Sequence, residues 1–71
     1  MEELAKHVLV NAIVYIDEYS KKEKLSEYEK GILHGIWMCV DSIKNHLEVE
    51  NKVIDIDIDK IQKDLQGLMQ S

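Results

Sequence analysis

Apolar residues return with a helical period in three stretches of this chain, and each stretch is bounded by different punctuation. From about residue 2 to 20, Leu4, Ala5, Val8, Leu9, Ala12, Ile13, Tyr15, Ile16 and Tyr19 fall on one broad side of a helical wheel. Glu3, Lys6, His7, Asn11, Asp17 and Glu18 fall opposite, so the stretch predicts an amphipathic helix. Glu2 and Glu3 in the first turn and Lys21 and Lys22 after the last suit the helix dipole. Val8 to Ile16 holds five β-branched residues, which is the pattern of a strand, but the flanking helical period decides for helix. Val10 and Val14 lie one turn apart among the polar residues, outside the main stripe.

The second stretch, about 27 to 48, opens on Ser26-Glu27-Tyr28-Glu29, a capping box in which the Ser26 hydroxyl and the Glu29 carboxylate each satisfy a backbone amide of the first turn. Tyr28, Ile32, Leu33, Ile36, Cys39, Val40, Ile43 and Leu47 follow as one stripe, and Asn51 is the expected stop. In the third stretch Val53 to Asp59 alternates apolar and acidic residues, which predicts an extended connector to about residue 56. Ile58, Ile61, Leu65 and Leu68 then return to helical spacing, and Asp57 or Asp59 can cap a helix over about 58–69. Gly67 weakens its last turns by about 1 kcal/mol relative to alanine.

The expected fold is therefore all-α. An antiparallel hairpin over about 2–20 and 27–48 is joined by the short loop around Lys21 to Leu25, and a shorter third helix completes one domain spanning 1–71. A single core in so short a chain contributes only about 3–5 kcal/mol, so a staple is expected. Cys39 is the only cysteine, which excludes an internal disulfide. His7, His34, Cys39 and His46 lack zinc-ligand spacing. The remaining staple is a homodimer. Uncovered apolar positions support it, because large bare patches would aggregate.

Composition narrows the function classes. The chain is 45% hydrophobic and 32% charged, a globular balance. No apolar run reaches the length of a membrane span, since Asn11 interrupts the longest one. The acidic start at Glu2 and Glu3 is not that of a secretory signal, and a lone cysteine fits a reducing compartment, so a cytoplasmic location is expected. With 14 acidic against 9 basic residues the net charge is −5, and direct nucleic-acid binding is not expected without a basic stripe.

Candidate chemistry is sparse. Asp55, Asp57 and Asp59 resemble the start of a calcium loop, but Lys60 replaces the required glycine and Gln66 stands where the bidentate glutamate belongs. No cofactor, metal site or catalytic set is expected, and the chain is read as a non-enzyme. Cys39, within the apolar stripe, is expected to be a buried packing residue. Gly31 and Gly35 lie one turn apart and are expected to permit a tight helix crossing. Trp37 at the edge of the stripe and Met38 on another, polar side of the helix, with Asp55, Asp57 and Asp59, are the candidate partner-binding residues; Val10, Val14, Gly31 and Gly35 are the candidate packing or dimer residues.

The segment Glu27-Tyr28-Glu29-Lys30-Gly31-Ile32-Leu33-His34-Gly35-Ile36-Trp37-Met38 resembles the helical hairpins of small proteins from phages and mobile elements of Gram-positive bacteria. The Lys-, Glu- and Ile-rich composition without proline is similar too. The resemblance implies an inhibitor directed at a host or defence protein, such as an anti-CRISPR, and names no target. Three functions stay open at this point: a protein-binding inhibitor or adaptor, a nucleic-acid-associated regulator of transcription or replication, and a structural assembly factor.

Overall fold

Local capping chemistry bounds the second helix and opens the third. In the computed structural model, which describes residues 2–70, α1 spans Glu2–Ser20, α2 spans Glu27–Val49 and α3 spans Ile58–Gln70. Met1 and Ser71, the two ends of the domain read from the sequence, lie outside the described residues. No strand occurs among the described residues; 53–57 is non-helical, with bends at Asp55 and Ile56 where the alternation predicted an extended connector.

At the start of α2 the Glu29 amide donates to Ser26 Oγ at 3.1 Å and the Ser26 amide donates to Glu29 Oε1 at 2.9 Å, closing the capping box. At its end Asn51 turns left-handed, with φ 55°. The Asn51 amide then reaches the Glu48 carbonyl at 3.1 Å and the Lys52 amide reaches the Leu47 carbonyl at 2.9 Å. That pair of bonds is a Schellman stop, with asparagine tolerating the conformation usually left to glycine. Asp57 caps α3: its Oδ1 accepts from the Lys60 amide at 3.1 Å and its carbonyl accepts from the Ile61 amide at 3.2 Å.

The three helices touch pairwise. Leu9, Leu33, Val40 and Leu65 are the largest fully buried side chains, and Ala12, Tyr19, Ile61 and Leu25 complete the core. Leu25 belongs to the loop between α1 and α2, yet it turns inward and closes the end of the core. The result is elongated, 38 × 17 × 16 Å, so much of each long helix remains at the surface.

Several sequence expectations fail for one shared reason. The apolar stripes are wider than the surface that short α3 and the neighbouring long helix can cover. Among the described side chains of α1, Leu9, Ala12 and Tyr19 are buried, while Leu4, Ile13 and Tyr15 are exposed. On α2 Cys39 is exposed rather than buried, and Tyr28, at the head of the stripe, is 79% exposed. The tight crossing expected at Gly31 and Gly35 is also corrected within the chain. A Cβ at either glycine would meet nothing within 4 Å, because their ridge turns away from both α1 and α3.

Candidate interaction surface

The flank of α2 that meets α3 is tied by charge and hydrogen bonds. Lys44 Nζ lies 2.8 Å from Asp59 Oδ1, and Gln62 Nε2 donates to Asp41 Oδ1 at 3.2 Å. The Lys44 ammonium holds the Asp59 carboxyl below its usual range, and Asp59 in turn raises Lys44. Trp37 belongs to this region: its ring is half-buried and packs against the core. Its Nε1 is buried with no hydrogen-bond partner among the described residues.

The acidic residues singled out from the sequence each have an internal task. Asp59 pairs with Lys44, and Asp57 caps α3. Asp55 Oδ1 lies 3.6 Å from Lys6 Nζ, linking the connector to α1. The structure does not gather Trp37 and Met38 into one patch. Consecutive helix residues point about 100° apart at 3.6 residues per turn, so Trp37 faces the core while Met38 faces outward and is exposed.

The end of the molecule near the first loop is braced as well. Lys22 pairs with Glu29 and lies 5.4 Å from the Tyr19 ring centroid. Tyr15 and Tyr19 stack edge to face at 5.7 Å and 80°. The hydrogen bond from Lys22 and that from the Ser26 amide hold the Glu29 carboxyl down at about 2, from an ordinary value of 4.5. Lys21 lies 3.4 Å from Asp17, so two of the three loop lysines are already engaged with carboxylates.

The opposite flank of α2 is different. Tyr28, Gly31, Gly35, Met38, Cys39, Ser42, His46 and Val49 recur at spacings of three and four and are all exposed. None carries a formal charge with histidine neutral, over about six helical turns. Along its C-terminal half this face borders an apolar groove of about 220 Å³. Leu4, Ala5 and Val8 of α1 form one wall, and Ser42, Ile43, His46 and Leu47 of α2 form the other. The N-terminal half of α1 therefore lies beside the C-terminal half of α2, and α3 contributes nothing to the groove. Sequence reasoning missed this face because it ranked residues by the apolar stripe. The available signal was the run of third and fourth positions without charge from Tyr28 to Val49.

A second groove of about 350 Å³ runs between α1 and α3, lined by Ile13, Ile16, Ile56 and Ile61 with Asp17, Asp57, Asp64 and Lys60 at its polar edge, where Lys60 pairs with Asp64 at 3.0 Å. Val10 and Val14 are exposed on α1. Among the described residues no three histidines, cysteines or carboxylates come together as a metal set. No helix is long and apolar enough to cross a membrane. The chain matches no protein-family model, no curated protein and no solved structure.

Proposed function

We propose that the chain is a non-enzymatic protein-binding module in which α1 and α2 form an antiparallel hairpin, and that it works as a homodimer. The observation that carries this reading is the uncharged face of α2. A chain with net charge −5 that leaves so long a helix face bare of charge has a surface suited to being covered. A second copy covers it and supplies the staple that a core of this size needs. The target then docks elsewhere. The groove between α1 and α3 offers isoleucines beside Asp17, Asp57, Asp64 and Lys60; Asp17 and Asp64 already pair with Lys21 and Lys60 and Asp57 caps α3, so the groove suits a chiefly apolar segment. The resemblance of the 27–38 segment to phage and mobile-element proteins makes a host or defence protein the first target class to test.

Two measurements test this reading. Light scattering at micromolar concentration is expected to give twice the 8.3 kDa chain mass. A clean monomer removes the dimer. In a pull-down from a Gram-positive lysate, a target retained by the wild-type chain is expected to be lost from Ile13→Glu, with the helical signal unchanged. Equal retention by both moves the target off this groove.

A further inference from the structure

We propose that two copies pair through α2 in antiparallel fashion about a two-fold axis between Met38 and Cys39, and that Tyr28 of each copy fills the apolar groove of the other. This inference rests on the homodimer reading and specifies its geometry.

The residue order of the uncharged face matches itself when reversed. Antiparallel pairing about that axis sets Tyr28 opposite Val49 of the second copy, Gly31 opposite His46, Gly35 opposite Ser42, and Met38 opposite Cys39. Crossing helices approach most closely at the crossing and diverge toward their ends. The small residues Gly35, Cys39 and Ser42 flank the crossing, while the larger Tyr28 and Val49 stand at the ends. The opening beside Gly31 receives His46. Open space around Gly31 and Gly35 in the single chain is what such a contact requires. Parallel pairing would put Tyr28 on Tyr28 and glycine on glycine, and would bring like ends of the helix dipoles together.

The groove lies at the correct end. It borders Ser42, Ile43, His46, Leu47 and Lys52, and reversal carries the N-terminal Tyr28 of the second copy opposite Val49, between Leu47 and Lys52. Tyr28 is 79% exposed, with little of the described chain covering it. A cavity of about 150 Å³ holds benzene, so a groove of about 220 Å³ has room for one phenol ring. Its walls are chiefly the apolar Leu4, Ala5, Val8, Ile43 and Leu47, with Ser42, His46 and Lys52 also lining it.

Charge favours a second copy as the occupant. A basic partner is drawn to carboxylates, which this face lacks, and two acidic copies approach with least repulsion through their uncharged side. A stable interface buries about 800 Å² per partner, a minor share of the chain's 5099 Å² surface. One face of α2, about 35 Å long and about 10 Å wide, falls short alone. Exposed Leu4 and half-buried Val8 of α1, and the Tyr28 ring seated in the groove, add to that strip.

The test uses the full chain. A short-arm bismaleimide is expected to join Cys39 to Cys39 and give a covalent dimer in high yield. Tyr28→Ala is expected to weaken dimerisation at least tenfold by sedimentation equilibrium. Gly35→Leu is expected to be monomeric yet at least as helical as wild type, because the added side chain meets open space in its own fold. A monomeric wild type overturns both this geometry and the dimer beneath it. A wild-type dimer that fails to cross-link, or whose mass persists in Gly35→Leu, overturns this geometry and leaves the dimer standing.

Discussion

The two flanks of α2 have similar helix-forming sequence and opposite fates. One flank meets α3 through Lys44 and Asp59, Asp41 and Gln62, and the half-buried Trp37. The other runs from Tyr28 through Gly35 and Ser42 to Val49 without a charge and without a neighbour over its glycines. The first flank shows how a short helix is held on a long one, by a few polar ties around Ile61 and Leu65. The second shows that an apolar stripe marks what can be covered, while the docking of a distant element decides what is covered. The sharpest test of this contrast is to truncate one residue from each flank. Leu65→Ala removes a fully buried side chain, and such losses cost about 2–5 kcal/mol, comparable to the whole stability of about 3–5 kcal/mol for a core of this size. Urea denaturation followed by circular dichroism is expected to show a largely unfolded chain. Tyr28→Ala, measured at a concentration where light scattering shows a monomer, is expected to leave the midpoint unchanged. Equal destabilisation by both would erase the contrast.

What was legible in the sequence follows the same division. Helix ends were legible because their chemistry is local. Ser26 and Glu29 lie three residues apart, Asp57 precedes its helix, and Asn51 follows one. The side of each stripe that becomes core was not legible, because it depends on where α3 docks, dozens of residues away. Cys39 therefore read as buried and is exposed, and Gly31 with Gly35 read as an intrachain crossing and face open space. Leu25 read as loop and is core for the same reason. The acids at 55, 57 and 59 read as a surface feature, and two of them find partners on other helices.

The stop at Asn51 separates local from distant control at smaller scale. Its φ of 55° is a region that a β-branched residue adopts only with strain. A left-handed conformation costs an ordinary residue roughly 1–2 kcal/mol, so Asn51→Val is expected to lower stability by about that amount, while Asn51→Gly keeps or raises it. Thermal melts of the two variants check the order. Indistinguishable melts would mean that the connector can re-route without the Schellman stop.

The cap of α3 comes next. Asp57→Ala removes the acceptor of the Lys60 amide and is expected to cost about 1 kcal/mol. Asp55→Asn breaks only an exposed contact with Lys6 at 3.6 Å, and exposed ion pairs contribute about 0–1 kcal/mol. Urea midpoints should therefore fall for Asp57→Ala and stay close to wild type for Asp55→Asn. The reverse order would place the support of α3 in the connector's tie to α1 instead of in its cap.

The smallest effect belongs to Glu29, which braces the first loop through Lys22 and the capping box. Its folded pKa of about 2 lies below the ordinary 4.5, chiefly through the Lys22 hydrogen bond and then the Ser26 amide. A carboxyl depressed by folding binds protons more readily in the unfolded chain, so acid favours unfolding. Its stabilisation is complete above pH 4.5 and is lost as the pH falls toward 2. Glu29→Gln keeps a side chain that can close the capping box but removes the titration. The stability difference between wild type and Glu29→Gln, measured by urea titration, should be constant above about pH 5 and should shrink steadily toward pH 2. Other carboxylates, Asp59 among them, titrate equally in both proteins and cancel in that difference. A difference that stays flat from pH 5 to 2 would mean that Lys22 does not hold Glu29 in solution, and the loop end of α2 would then rest on Ser26 and Leu25 alone.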